Sequence, residues 1–188
     1  MRLVPAETVH ARLDYPSLIA ALAELYRRGV DLVESFIVSQ PTPEGGRADL
    51  ILLPAWQRDR SIGVKLVNVF PDNPRRGLPT IMGSYVLIDG VTGEHKLVID
   101  GAALTLRKTA ANSALGAHYL ARADARDLVM VGAGALAPHV IEAHVAARPS
   151  IRRVTVWNRT PERARRLAAR IVLPGVAAEA TRDLEAAV

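Results

Sequence analysis

Residues 128–137 read Leu-Val-Met-Val-Gly-Ala-Gly-Ala-Leu-Ala, a short apolar run that leads straight into a glycine turn. The run is typical of a buried parallel strand, and the G-x-G-x-x-A pattern that overlaps its end is typical of a turn that opens a helix. Gly132 permits the tight turn, Gly134 leaves room for a ligand against the backbone, and Ala137 is the small residue that helix–strand packing requires. The N–H groups at the helix start then favour a phosphate. The stretch predicts a dinucleotide-binding β-α-β unit; the alternative is a glycine turn that holds no nucleotide.

The next apolar strand, over 154–157, is followed by Asn158-Arg159-Thr160. An NAD site normally carries Asp or Glu here, which accepts a hydrogen bond from the ribose 2′-OH and would repel a 2′-phosphate. Neutral Asn158 and cationic Arg159 instead suit a 2′-phosphate, and Thr160 can both cap the next helix and donate to phosphate. These residues favour NADPH as the cofactor, with NAD as the alternative. The competing interpretation of Arg159 is a solvated surface charge.

Upstream of this unit, hydrophobic periodicity predicts two helices with a strand-rich region between them. Asp14 can cap a helix that Gly29 ends, and Asp100 can cap a long helix over 102–122. The strands expected between these helices cover 33–38, 50–53 (ending at Pro54), 64–70, 81–88 and 96–99. We therefore expect an α+β domain over 1–122 joined to a Rossmann-type domain over 123–188. Only two parallel strands are clear in the latter, with a weak third over 176–179, so we expect it to be truncated to its N-terminal half.

Composition excludes several classes of function. The 188 residues include no cysteine, which removes disulfides, thiolate metal sites and a cysteine nucleophile. The net charge is +5, but the basic residues do not interleave with aromatic ones, which disfavours nucleic-acid binding. No apolar run approaches the ~20 residues that a membrane span needs, and no signal-peptide core is present, so we expect a cytoplasmic protein. The five histidines show no metal-ligand spacing, and we predict no metal site.

A lysine interrupts an apolar strand in Gly-Val-Lys-Leu-Val-Asn-Val-Phe-Pro, residues 63–71. Strand alternation gives Lys65 apolar neighbours whichever face of the sheet packs. A lysine in such surroundings suits the binding of a carboxylate or proton transfer near neutral pH. The alternative is an edge-strand lysine whose amine reaches water.

An arginine stands near the start of the long alanine-rich helix, in Leu-Thr-Leu-Arg-Lys-Thr-Ala-Ala, residues 104–111. The planar guanidinium of Arg107 can form two parallel hydrogen bonds with a carboxylate or contact a pyrophosphate. By itself, an arginine at such a position is more often a surface charge.

Together these stretches resemble the ornithine cyclodeaminase/μ-crystallin family. The matching segments, in the family's order, are GVKLVNVFPDN (63–73), GLPT (77–80), LTLRKTAANSALGAHYLAR (104–122), VGAGALAPH (131–139) and VTVWNRT (154–160). The resemblance implies that 1–122 binds substrate and forms a homodimer, and that 123–188 binds NAD(P). It also implies hydride transfer at the Cα–N bond of a small amino or imino acid.

The resemblance assigns roles to individual residues. Lys65 corresponds to the substrate-binding lysine near the reacting carbon, and it is our candidate catalytic residue. Arg107 corresponds to the arginine that holds the substrate carboxylate and lies close to the cofactor, and Thr80 to a contact on the nicotinamide side. The expected cofactor-binding set is completed by the phosphate-loop residues and the NADPH triplet of the μ-crystallin branch: Gly132, Ala133, Gly134, Ala135, Leu136, Asn158, Arg159 and Thr160.

Three departures from the family pattern leave the reaction open. A second substrate arginine is expected before the strand over 50–53; counting back from Pro54 gives Gln40, with Arg47 as the substitute if the turn is rearranged. Lys108 stands where many members have threonine, and the catalytic aspartate of cyclodeaminases is expected beyond Val188.

We favour an NADPH-dependent reductase of cyclic ketimine acids, such as 1-pyrroline-2-carboxylate to L-proline. A cyclodeaminase reaction is redox-neutral overall and gains nothing from NADPH, whereas a net reduction consumes NADPH. The alternatives are an NAD-dependent ornithine cyclodeaminase, a non-catalytic, crystallin-like binding protein, and an inactive fragment of an enzyme of this type.

Overall fold

A computed structural model describes residues 1–29 and 33–188, which form two compact units. The first unit contains Met1–Arg12 and Leu25–Thr105, and the second contains Leu13–Glu24 and Leu106–Val188. This division differs from the predicted boundary at residue 122. The physical reason is the alanine stripe of the long helix, which packs with Tyr15, Leu22 and Ala143 in one buried cluster of the second unit.

The helices are α1 (Ala6–Arg12), α2 (Tyr15–Arg28), α3 (Gly101–Leu120), α4 (Ala137–Ala147) and α5 (Pro161–Arg170). The two predicted upstream of the glycine turn, α2 and α3, begin and end close to the predicted positions, whereas α1 was not predicted. Asp14 caps α2 by accepting a hydrogen bond from Ser17 N at 2.9 Å, and Gly29 ends it with φ +75°. Asp100 caps α3 in the same way through Ala103 N at 2.7 Å. The two predicted caps are confirmed. No helix in the described part of the chain has the length and apolarity to cross a bilayer.

Within its described residues, the first unit contains one six-stranded sheet, in the order β1-β6-β5-β4-β3-β2. The strands are β1 (Arg2–Val4), β2 (Phe36–Pro41), β3 (Arg47–Gln57), β4 (Ser61–Val69), β5 (Ile81–Asp89) and β6 (His95–Asp100). Strands β2 to β6 pair antiparallel in sequence order, and β1 adds parallel to β6. The hairpin predicted between 81–88 and 96–99 is therefore confirmed.

Pro54 does not end its strand, and that prediction was wrong. Strand β3 continues to Gln57 and pairs Pro54 with Val64 of β4. Pairing with β2 stops at Leu52, so among the described residues β3 has an open side at Pro54. A proline, which lacks the N–H, is tolerated at such an edge position.

Among the described residues of the second unit, three parallel strands lie in the order β7-β8-β9. They are β7 (Asp127–Val131), β8 (Arg153–Trp157) and β9 (Ala177–Thr181), with α4 and α5 as the connections. Ile141, Val154 and Val156 are fully buried at the centre of this layer. The β-α-β-α-β order confirms the Rossmann-type fold and the weak third strand.

Candidate functional site

The glycine turn after β7 has the backbone geometry that its sequence predicts. Gly132 adopts φ +112°, a backbone conformation that residues other than glycine rarely adopt. Its N–H donates to the carbonyl oxygen of Trp157 at 2.7 Å. This bond joins the end of β7 to the end of β8, so the turn and the residues after Trp157 lie at the same edge of the sheet.

The turn is open on the side where a ligand would approach. A Cβ added at Gly134 meets no atom of the described chain within 4 Å. Ala137, by contrast, is only 2% exposed and packs in the buried cluster with Val154 and Val156. The two positions therefore require a small residue for different reasons. Ala137 packs in the contact between helix and sheet, whereas Gly134 leaves the outer side of the turn open. The turn fits the pyrophosphate of a dinucleotide, which binds to backbone N–H groups.

The segment after β8 carries the predicted ribose-recognition residues. The side-chain amide of Asn158 donates to the carbonyl oxygen of Thr160 at 3.0 Å, which holds the segment in a tight bend. Thr160 occupies the N-cap position of α5, but its hydroxyl makes no capping hydrogen bond, so the predicted side-chain cap was wrong. The side chain of Arg159 is exposed. A neutral amide and a cation thus stand where an NAD site normally has a carboxylate.

Lys65 lies on an interior strand. It pairs with Leu53 of β3 on one side and with Tyr85 of β5 on the other, and its side chain is half-buried. The edge-strand interpretation of this lysine is therefore wrong. Burial raises the pKa of the neighbouring Tyr85 phenol above its ordinary value of 10.0. The Tyr85 ring covers Gly63, because a Cβ added there would collide with the phenol oxygen.

The loop before β5 fixes the position of Thr80. Asn73, 5% exposed, donates from its side chain to the Pro79 carbonyl at 2.9 Å, and its own carbonyl accepts from Leu78 N. The Thr80 carbonyl then accepts from Phe70 N at 2.8 Å. Thr80 is thus held by backbone contacts at the start of β5, in the first unit.

Neither candidate for the second substrate arginine lies beside Lys65. Gln40 pairs with Ala48, and strand alternation puts both on the face opposite to Lys65. Arg47 shares the Lys65 face, but it lies six residues along β3 from Leu53, which is about 20 Å. Its Nε donates to Asp49 at 2.8 Å, and its side chain is 68% exposed.

Arg107 is buried in the second unit, so its interpretation as a surface charge is wrong. The residue is 8% exposed, its Nε donates to the carbonyl oxygen of Leu13 at 2.8 Å, and Nη2 donates to the same oxygen. The guanidinium carbon lies 3.7 Å from the centre of the Tyr15 ring, and Nη1 lies 3.6 Å from Glu142 Oε2. Arg107 therefore ties the start of α2 to α4. The next residue, Lys108, is exposed.

The contacts of Arg107 continue to the helix that follows the glycine turn. The hydroxyl of Tyr15 lies 3.2 Å from Nδ1 of His139, in the first turn of α4. Burial of the phenol is the main cause that raises the pKa of Tyr15 to about 12. The sequence did not indicate Tyr15, His139 or Glu142 as partners of this site. Their contacts join residues up to 124 positions apart, and no local sequence pattern predicts such contacts.

Comparisons with known proteins agree on one family. The model of the ornithine cyclodeaminase/mu-crystallin family matches residues 14–188. Protein SAR DEFICIENT 4 of Arabidopsis thaliana is 43% identical over 171 residues, which are 88% of this chain and 51% of that protein. Delta(1)-pyrroline-2-carboxylate reductase of Paracoccus denitrificans is 38% identical over 169 residues, 84% of this chain and 53% of that protein. The chain thus spans about half the length of the curated relatives it matches.

A solved structure shows the same fold. It is Thermococcus litoralis Delta(1)-pyrroline-2-carboxylate reductase in complex with NADH and L-proline, with a TM-score of 0.80 at 24% sequence identity. The match covers 100% of this chain and 58% of that one. Both the sheet of the first unit and the parallel layer of the second therefore belong to a known architecture.

Proposed function

The chain belongs to the ornithine cyclodeaminase/mu-crystallin family, and from this premise we propose that the protein is an NADPH-dependent reductase of cyclic ketimine acids, of the 1-pyrroline-2-carboxylate type. The observation that carries the proposal is the hydrogen bond from Gly132 N to Trp157 O. It sets an open glycine turn beside Asn158 and Arg159. A relative named Delta(1)-pyrroline-2-carboxylate reductase, 38% identical over 84% of this chain, supports the choice of substrate class.

The reaction needs a hydride, a proton and a fixed substrate. When bound, NADPH supplies the hydride to the imine carbon, the imine nitrogen takes up a proton, and the products are the cyclic amino acid and NADP⁺. The backbone of Gly132 to Leu136 would hold the pyrophosphate, and Asn158, Arg159 and Thr160 would hold the ribose 2′-phosphate. Thr80 is proposed as a contact on the nicotinamide side.

Lys65 is proposed to orient the imino acid and to hold a proton close to the imine nitrogen. Its side chain is half-buried and stands opposite Tyr85, whose phenol is itself partly buried, and partial exclusion of water strengthens an ammonium–carboxylate or proton-transfer interaction.

Arg107 is proposed to fix the substrate carboxylate. Its Nε and Nη2 donate to Leu13 O, and its Nη1 is paired with Glu142 at 3.6 Å, so a substrate carboxylate would take the place of Glu142 at Nη1. Contacts that hold the rest of the guanidinium would pre-orient this edge.

A homodimer is also proposed. All residues of β2 are exposed, and Phe36, Ile37 and Val38 are 52%, 62% and 52% exposed. An apolar outer strand is a liability unless another chain covers it. The predicted cytoplasmic location stays a prediction.

The test of the proposed function is turnover by the purified protein. With 1-pyrroline-2-carboxylate and NADPH we expect loss of NADPH absorbance and formation of proline. NADPH should bind about tenfold or more tightly than NADH, because a 2′-phosphate meets a cation rather than a carboxylate. Rapid release of ammonia from ornithine with NAD would favour a cyclodeaminase instead. Tight NADPH binding without turnover would favour a crystallin-like binding protein.

A further inference from the structure

A groove with a cationic wall begins at the glycine turn. It has a volume of about 510 Å³ and is lined by Ala133, Gly134, Ala135, Pro138, His139, Arg163, Arg166, Leu167 and Arg170. One end is therefore the backbone of the turn, and one wall is the face of α5. All of these residues belong to the second unit.

The three arginines of the groove share one face of α5. Arg163, Arg166 and Arg170 stand at positions i, i+3 and i+7, a spacing that places side chains in a row along a helix. All three are exposed. Like charges in such a row repel one another and lower the stability of the helix unless an anion compensates them.

The described chain supplies no anion of its own to this row. None of the groove residues is acidic, and within residues 1–29 and 33–188 no ion pair involves Arg163, Arg166 or Arg170. On the same helix, Arg165 does not line the groove and does pair with Glu162, at 3.3 Å. The groove face of α5 is thus the cationic face without an internal partner.

Resting on the proposed function, we propose that this arginine row is part of the 2′-phosphate site and makes the protein selective for NADPH. Arg163 stands three residues after Thr160, in the first turn of α5, and so lies next to the predicted ribose segment. It would bind the phosphate monoester together with Arg159. Arg166 and Arg170 lie about one and two turns further along and would raise the positive potential of the groove. The ligand chemistry is a phosphate monoester dianion on a ribose.

Binding of adenine nucleotides without the nicotinamide end tests this assignment directly. We would measure the affinities of 2′,5′-ADP, of 5′-AMP and of inorganic phosphate by isothermal titration calorimetry. The unsubstituted protein should prefer 2′,5′-ADP over 5′-AMP by about tenfold or more, as expected for a charge-assisted contact. Inorganic phosphate bound as tightly as 2′,5′-ADP would overturn the proposal, since the groove would then be a general anion site.

Matched variants on one helix separate the groove from general charge effects. Arg163→Ala should weaken 2′,5′-ADP about tenfold and 5′-AMP much less, while Arg165→Ala changes neither. Arg166→Ala and Arg170→Ala should reduce the salt dependence of 2′,5′-ADP binding. Equal effects of Arg163→Ala and Arg165→Ala, or equal loss of both nucleotides, would contradict the proposal. All four sites are exposed, and thermal unfolding checks that each variant folds.

The proposal and the proposed function can fail separately. If the protein discriminates 2′,5′-ADP through Arg163 but reduces no ketimine acid, the groove assignment stands and the reaction is wrong. If it reduces ketimine acids and Arg163→Ala leaves the preference for NADPH over NADH unchanged, the reaction stands and the groove assignment is wrong.

Discussion

At the scale of single residues, Arg107 is a buried structural residue for which we also propose a contact with the substrate. Its guanidinium is buried against the Tyr15 ring, bonded to Leu13 O and paired with Glu142. A buried cation is tolerated only with such partners, and removing it leaves them unpaired. The proposed carboxylate contact therefore depends on a residue that the second unit also needs for its stability.

Replacing Arg107 should destabilise the protein much more than replacing its neighbour. Arg107→Met leaves the Leu13 carbonyl and the Tyr15 ring without their cation, and we expect a loss of about 2–4 kcal/mol in the free energy of unfolding. Lys108→Met, at an exposed site, should change it by less than about 0.5 kcal/mol. Urea denaturation measures both, and equal stabilities would contradict a structural role for Arg107.

The two glycines of the turn should respond differently to alanine. Gly134→Ala meets open space and should leave unfolding unchanged while lowering NADPH affinity, because the Cβ occupies the approach to the backbone. Gly132→Ala must adopt φ +112° and should cost about 1–3 kcal/mol of stability. Thermal unfolding and cofactor titration of both variants give the comparison; unchanged cofactor affinity in Gly134→Ala would remove the turn from the site.

Tyr15 should make stability fall at alkaline pH. Burial raises its pKa from 10.0 to about 12, so the folded protein holds the phenol proton more tightly than the unfolded chain. The resulting stability is complete below pH 10 and is lost as pH rises from about 10 to about 12. Tyr15→Phe should flatten this part of the curve of unfolding free energy against pH. Because Tyr85 also has a raised pKa and is kept in both proteins, their difference isolates Tyr15.

At the scale of elements, the position of β4 in the sheet determines the surroundings of Lys65. Both neighbours of β4 are paired along its whole length, so Lys65 lies in the interior of the sheet and not at its edge. Burial of an amine is costly, and a sheet interior is a position where a lysine needs a reason beyond solubility. We propose that a role in catalysis is that reason.

Lys65→Ala should abolish most imine reduction and keep cofactor binding. We expect kcat/KM to fall about 10²–10⁴-fold, the range for loss of a proton-handling group, with the NADPH affinity unchanged. Lys96→Ala is the matched control, because Lys96 lies on β6 of the same sheet, is exposed and pairs with Glu94 at 2.5 Å. Near-normal turnover in Lys65→Ala would exclude this lysine from the reaction.

At the scale of the whole molecule, the outer strand β2 is an edge strand whose apolar side chains are exposed to water. Its residues are exposed on both faces, and one side of the strand has no partner strand among the described residues. Water solvates such backbone groups, but the apolar side chains beside them favour association with another chain.

A charge placed on this strand should separate the proposed dimer. Ile37→Lys introduces a cation at a 62% exposed apolar site and should shift the mass measured by light scattering from dimer to monomer. Val91→Lys, 74% exposed in the turn between β5 and β6, is the control and should leave the mass unchanged. A monomer before any substitution, or a dimer after Ile37→Lys, would contradict an interface at β2.

Local signals determined the elements and the cofactor turn. The caps at Asp14 and Asp100, the left-handed Gly132 and the apolar strand before it are set by neighbours within a few residues, so the sequence alone indicated each of them. The residues that carry the family resemblance form short contiguous stretches of the chain, and for this reason the family was recognisable without coordinates.

Tertiary structure decided which partner each side chain meets. The order of the strands placed Lys65 on an interior strand and left one side of β3 without a partner strand at Pro54 among the described residues. The hydrogen bond between Arg107 and Leu13 joins residues 94 positions apart, so no local pattern could predict it. Hydrophobic periodicity specifies which face of an element is buried but not what it is buried against. Those pairings depend on how distant segments pack, and only the folded chain contains that information.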